Sequence, residues 1–293
     1  MENINHPNIN RWEHHIVFLI AGSEPLGSAG IQADIKAISA CGGYAAGAIT
    51  CIVDEDTVNV KDIITIPIKM IESQCHSFLG DVGANCIKTG MLYSKDVIHS
   101  VAGVLQHYKN TDIVVDPVMV SSAGYRLLKE EAVNCYMNEL FPLARIITPN
   151  RHEAEVLLGR KLDINNLEED LKKLTRWGNA VIVKSVEDKE KGKINDCFYD
   201  PTTNNLQIFS KKHVNTNNRN GTGDTFASAI ATYIARGFKL IDAISFAEDY
   251  IQKAIEIGAN YDFGAGFGGT QPFFRELSYF YDEKRKYDII NGK

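Results

Sequence analysis

Nowhere in this sequence do two cysteines stand together as CxxC: Cys41, Cys51, Cys75, Cys86, Cys135 and Cys197 are scattered, most of them in apolar surroundings. A free cysteine in such company behaves as a small hydrophobe, so reduced core residues are expected rather than a disulfide framework. No apolar run approaches the ~18 residues of a membrane span, and no basic start leads into an apolar stretch with a cleavage site. The expectation is a cytoplasmic protein. Positive charge is also scarce: 31 lysines and arginines face 37 aspartates and glutamates, for a formal charge of −6. That balance provides no electrostatic footprint for nucleic acid or an anionic membrane, and a small-molecule substrate becomes the default. Composition shifts that would mark a linker are absent, as are internal repeats.

What is present is a globular composition, 293 residues with 44% apolar and 23% charged, able to bury a large core. Residues 1–14, MENINHPNINRWEH, are asparagine-rich and aperiodic and are expected to form a flexible arm. One domain is expected over 15–293. From Ile16 onward short β-branched runs alternate with helical patterns: HIVFLIAG, a helix near Gly30–Cys41, AAGAITCIV, a helix around Lys69–Leu79, CIKTGM, a helix near Asp96–Tyr108, and DIVVDPVMV. Helices over Glu130–Leu140, Glu153–Leu158 and Leu167–Trp177 follow, interleaved with RIITPN and NAVIVKS, and two long helices come after Gly223. Continuous apolar strands alternating with helices predict a mainly parallel sheet covered on both faces. The segment CFYDPTTNNLQIF, with its Pro-Thr-Thr-Asn-Asn turn, predicts a small antiparallel edge hairpin.

In an open α/β sheet the ligand lies beyond the carboxyl ends of the strands, and the glycine-rich and polar stretches fall there. In Ala21–Gly30, three glycines permit close backbone approach or turns with positive φ, although neither GxGxxG nor a Walker A is present. Asp116 ends an apolar run in Val-Val-Asp-Pro, and Glu153 follows Thr-Pro-Asn-Arg-His. Carboxylates so placed suit a Mg²⁺ ion held partly through water, or equally a turn-forming Asp-Pro and a helix N-terminal acid. Lys184, at the end of Ala-Val-Ile-Val, is either a snorkelling surface lysine or a cation for a phosphate.

The most specific stretch is Asn220-Gly-Thr-Gly-Asp-Thr225, running into FASAIATYIARG. Phe226, Ile230, Tyr233 and Ile234 share a helical face and Gly237 sits as a C′ residue, so a helix is predicted to start at about Gly223 or Asp224. A Gly-Thr-Gly turn at that start exposes free N–H groups at the positive end of the dipole, which makes an anion site, with phosphate as the anion. Asp224 is then either an N-cap or a carboxylate aimed at the nucleophile of a phosphoryl transfer. An anion hole, a pair of metal-suited carboxylates and a lysine on one sheet edge are the parts that phosphoryl transfer needs.

Taken together, AGSEPLGSAGIQADIKA (21–37), IKTGML (87–92), VVDPVMVSSAG (114–124), ITPNRHEAEVL (147–157), VIVKS (181–185) and NGTGDTFASAIA (220–231) resemble the ribokinase-like superfamily. Within it they are similar to the hydroxymethylpyrimidine and phosphomethylpyrimidine kinases of thiamine biosynthesis, with pyridoxal kinases beside them. The resemblance implies a three-layer Rossmann-like α/β fold, ATP and Mg²⁺, a small alcohol acceptor, and a homodimer. It implies that Gly221, Thr222 and Gly223 form the anion hole, that Asp224 is catalytic, and that Lys184 contacts ATP phosphate. Asp116, Asn150 and Glu153 resemble the residues that organise metal and phosphate, while Gly22, Asp34, Glu55 and Met91 fall where the acceptor pocket is lined.

The chain departs from the pyrimidine kinases in four places. Asp224 replaces their usual cysteine, Glu55 their usual glutamine, Val183-Lys184-Ser185-Val186-Glu187 a VKGGH-like segment, and their closing GHGPVNH pattern is missing. An ionised glutamate offers acceptors only, so Glu55 is expected to favour a protonated or cationic heterocycle. With Asp224 and Glu55 both facing the acceptor, like charge is expected to weaken a second transfer onto a monophosphate. A pyridoxal or pyridoxamine kinase is the alternative, and a non-catalytic vitamer-binding protein a third reading.

Overall fold

A computed structural model describes residues 15–108, 110–119, 128, 130–188 and 193–277; the arm at 1–14, the end of the VVDPVMVSSAG segment and the chain beyond Leu277 lie outside the described residues. Among the described residues nine strands form one sheet: β1 (Ile16–Ser23), β2 (Tyr44–Glu55), β3 (Val60–Thr65), β4 (Cys86–Thr89), β5 (Asp112–Val115), β6 (Ile146–Ile147), β7 (Ala180–Asp188), β8 (Lys193–Asp200) and β9 (Asn205–Lys212). Their order is β3-β2-β1-β4-β5-β6-β7-β8-β9. The six central strands from β2 to β7 run parallel, and the expected hairpin is β8–β9, paired antiparallel with each other and onto β7. The opposite edge is antiparallel as well, because β2 continues past the end of β1 and folds back as β3, an addition absent from the sequence expectation.

Among the described residues eight α-helices cover the sheet: α1 (Gly30–Ala40), α2 (Ile68–Asp81), α3 (Lys95–Leu105), α4 (Glu130–Cys135), α5 (Arg151–Leu158), α6 (Leu167–Leu174), α7 (Thr222–Ala235) and α8 (Leu240–Gly258). Strand alternation decides which residues meet which layer. From β1, Phe18 and Ile20 join Ile87, Val115, Val181 and Val183 against α2 to α6. Val17, Leu19 and Ala21 point to the other face, where Val114, Ile182 and Phe226 pack with α1, α7 and α8. Five of the six cysteines are buried and all are free, as expected of core residues. Helix α7 ends as predicted, with Gly237 at φ +84° and the Phe238 N–H donating to the Tyr233 carbonyl at 3.1 Å.

From β1 the chain moves outward to β2 and β3, then returns to the other side of β1 as β4. Such a reversal leaves a crevice at the carboxyl ends of β1 and β4. The glycine-rich and acidic loops identified in the sequence open into it.

Candidate active site

A cavity of about 610 Å³ lies over that crevice, walled by Gly22, Ser23 and Glu24 after β1, Val53 and Glu55 from β2, Met91 after β4, Asp116 and Val118 after β5, Asn150 to Glu153 at the start of α5, Lys184 and Ser185 from β7, and Asn220, Gly221, Gly223 and Asp224 at the head of α7. Gly221 is the N-cap of α7, with φ +69° and no side-chain cap bond. A Cβ on it would come within 1.7 Å of the Ser28 carbonyl oxygen, so the turn can lie against the β1–α1 loop only because the side chain is missing. Asp224 is therefore the third residue of the helix and not its cap. The Thr222 hydroxyl donates to the Arg219 carbonyl at 2.7 Å, and Thr222 is not one of the cavity-lining side chains. Gly221, Gly223 and Asp224 line the cavity at the positive end of the α7 dipole, with the Lys184 ammonium 3.0 Å from where a Gly223 Cβ would stand.

Lys184 donates to Asp116 Oδ1 at 2.8 Å, and the Thr148 hydroxyl donates to the same oxygen at 2.9 Å. Burial alone would lower the Lys184 ammonium, but Asp116 and Glu153 outweigh it and hold it above the usual lysine value. Ser185, the next residue, adopts φ +60°, and its N–H donates to the Asp196 carboxylate at 2.8 Å, which fixes the bulge that presents Lys184. Glu153 is almost wholly buried; it accepts from the Asn150 N–H at 2.8 Å and the Met119 N–H at 3.1 Å, while Asn150 Oδ1 accepts from the Glu153 N–H at 3.0 Å. That is a reciprocal capping box, so the helix N-terminal role is filled by both residues. Burial pushes the Glu153 carboxyl up to about 7.

These donors bear on the expected Mg²⁺ site. Asn150 spends its side-chain oxygen on the cap, and both Glu153 oxygens take backbone N–H groups. Among the described residues no group of three histidine, cysteine or acidic side chains is arranged to hold a metal. The donor set does not make a cage; Asp116 and Glu153 are the carboxylates that would help hold an ion brought in on phosphate oxygens.

Asp34 does not line the acceptor pocket as the resemblance implied. It is fully buried and accepts two bonds from Lys88 Nζ, at 2.8 and 3.0 Å, and one from the Ser228 hydroxyl at 2.7 Å. Lys88, itself fully buried on β4, reaches on to Asp224 Oδ1 at 3.1 Å. Sequence reasoning quoted this lysine inside IKTGML and assigned it nothing; the available signal was a charged residue in the middle of a central strand. Gly90 permits the approach, since a Cβ there would lie 3.0 Å from Lys88 Nζ and 3.6 Å from Asp224 Oδ1.

The wall where the resemblance implies the acceptor is formed by Val53, Met91, Val118 and Glu55, with Gly22 packed so closely that a Cβ would meet Cys51 Sγ at 2.8 Å. Glu24, also missed, folds its carboxylate back into its own loop, accepting from the Leu26 N–H and from those of Gly27, Ser28 and Ala29, the last three at 3.1, 2.6 and 2.7 Å. It thereby organises the β1–α1 turn. Burial pushes the Glu55 carboxyl up to about 7, helped by Glu24, Asp224 and Asp56. The expectation of an ordinary ionised Glu55 is thus corrected: its surroundings raise the carboxyl from the usual carboxylate range toward neutrality.

The family model of phosphomethylpyrimidine kinase matches residues 24–271. The chain belongs to the phosphomethylpyrimidine kinase family. It is 35% identical over 263 residues to the hydroxymethylpyrimidine/phosphomethylpyrimidine kinase of Rhizobium meliloti, covering 89% of this chain and 97% of that one. It is 36% identical over 242 residues to the thiamine biosynthesis bifunctional protein ThiED of Geobacter sulfurreducens, covering 82% of this chain but only 49%, about half, of the relative. The structure of an ADP complex of Bacillus subtilis pyridoxal kinase superposes with a TM-score of 0.82 at 29% identity, covering 90% of this chain and 99% of that one. The ribokinase-like, kinase-type architecture expected from the motifs is therefore the observed one.

Proposed function

We propose that this family member transfers the γ-phosphoryl group of ATP to the hydroxymethyl group of 4-amino-5-hydroxymethyl-2-methylpyrimidine, in the making or salvage of thiamine. The observation that carries the reading is the position of Asp224: in the first turn of α7, lining the same cavity as Gly221, Gly223, Glu55 and Met91, with one oxygen held by a buried lysine. An acceptor lying along Val53, Glu55 and Met91 would bring its hydroxymethyl group to Asp224 for general-base removal of the proton. The Gly221–Gly223 turn and Lys184 would take the developing phosphate charge. Mg²⁺, carried on the phosphates and held through Asp116 and Glu153, would neutralise the remainder.

A kinase assay with Mg·ATP tests this on the pyrimidine alcohol, its monophosphate and pyridoxal, with wild type and Asp224→Ala. The expected result is turnover of the pyrimidine alcohol, lowered by about 10²- to 10⁴-fold in the variant, as for loss of a general base. Turnover of the monophosphate should be slower, and the more so as pH rises through about 7 and Glu55 adds its charge to that of Asp224. No ATP-dependent turnover of any acceptor would sink the reading. A second reading, pyridoxal kinase, is favoured by the overlay on the Bacillus subtilis enzyme and would be established by turnover of pyridoxal alone. A cytoplasmic homodimer rests on the family resemblance; light scattering after gel filtration measures the subunit number.

A further inference from the structure

Lys88 and Asp34 form a charge pair of 0% exposure in the middle of the sheet–helix interface, and their mutual contacts already satisfy one another. Such a pair is a poor investment for stability: removing two ions from water costs several kcal/mol each, and apolar replacements of similar volume are often neutral or stabilising. Its position points elsewhere. Asp34 takes two contacts from the ammonium and one from Ser228, which anchors it from behind; the remaining reach of the ammonium is toward Asp224, whose side chain is 14% exposed and borders the cavity. We propose that Lys88, backed by Asp34, is the positioning residue that orients Asp224 and sets a positive charge beside its carboxylate for phosphoryl transfer.

The inference rests on the kinase reading above. With Oδ1 tied to Lys88, Oδ2 is the oxygen offered to the acceptor hydroxyl. The acceptor oxygen forms its bond to the γ-phosphorus, the bond from that phosphorus to the bridging oxygen of ADP breaks, and the hydroxyl proton passes to Oδ2. Lys88 neither gives nor takes a proton. The need for it follows from the charges around Asp224: Lys88 and Asp34 lie behind, Asp116 with its partner Lys184 lies beside Gly223, and Glu55 is close enough to interact with it, while Glu24 lines the same cavity with its carboxylate turned into its own loop. Without Lys88 the carboxylate would sit among acids, which favours its protonated form.

Two variants with opposite expectations test the assignment, each read as kcat against pH with the acceptor that the wild type uses. Lys88→Met combined with Asp34→Asn removes the pair together and leaves no unpaired buried charge; kcat at pH 7 should fall about 100-fold, as expected for a misaligned, partly protonated base. Its acid limb should move up by about one pH unit, and KM for ATP should stay within about threefold of wild type. Asp34→Asn alone frees Lys88 to serve Asp224, and the acid limb should move down instead. A structural role would lower the melting temperature without moving the two limbs in opposite directions. Limbs that coincide with wild type in folded protein would overturn the proposal, as would both moving the same way. Should the double variant fail to fold, the direction of the Asp34→Asn shift decides. Absence of turnover in wild type would instead bring down the kinase reading, and the proposal with it.

Discussion

Glu55 shows how a single residue's chemistry depends on its surroundings. In water a glutamate is an acceptor at neutral pH, but on the acceptor wall burial and three neighbouring carboxylates push it up to about 7. Below that value the neutral acid offers one donor and one acceptor, as a glutamine amide does; above it the carboxylate offers acceptors only. For a neutral aminopyrimidine, KM should therefore rise as pH goes from 6 to 8.5, and Glu55→Gln should flatten the dependence. A wild-type KM independent of pH would contradict this. The same scale explains what the sequence did and did not disclose. Asp116, Glu153 and Lys184 stood out because charged residues come at the ends of apolar runs, and Asp224 because it follows a Gly-Thr-Gly turn at a helix start. Lys88 sits within CIKTG, where periodicity marks only a strand, and its partners Asp34 and Asp224 lie 54 and 136 residues away in sequence.

At the scale of elements, local signals located most helices to within a few residues. Asn150 and Glu153 form a capping box with a recognisable spacing, and Gly237 terminates α7 with positive φ, both consequences of short-range hydrogen bonding. Helix α7 starts at Thr222, slightly earlier than predicted, because Gly221 serves as its cap. Gly221→Ala should be severe: the left-handed conformation alone costs about 1 kcal/mol, and the Cβ would collide with Ser28. Displacement of the anion turn should raise KM for ATP by tenfold or more and lower the melting temperature; a variant with wild-type KM would show that the turn tolerates a side chain. The strand β3 was missed for the converse reason. Val60–Thr65 carries exposed residues along most of its length, and only its pairing with the extension of β2 makes it a strand.

For the whole molecule, two apolar layers lie on opposite faces of one sheet, and every central strand contributes to both. Neither layer can be lost while the other survives, so residues 15–277 are expected to unfold as one cooperative unit. Trp177 packs on the layer with α2 to α6, whereas backbone circular dichroism reports the entire sheet. Thermal transitions followed by tryptophan fluorescence and by far-ultraviolet circular dichroism should coincide; separated midpoints would indicate two independent units. The alternation of buried strands with helices, the hairpin turn and the phosphate-suited turn before α7 were determined by the sequence alone, because each arises from interactions among residues close along the chain. The tertiary structure alone decided that Asp34 pairs with Lys88 away from the cavity, that Glu24 folds into its own loop, and that burial and neighbouring acids raise the Glu55 carboxyl to about 7. Those outcomes depend on burial and on charges from distant segments meeting at the sheet edge, and no spacing along the chain encodes them.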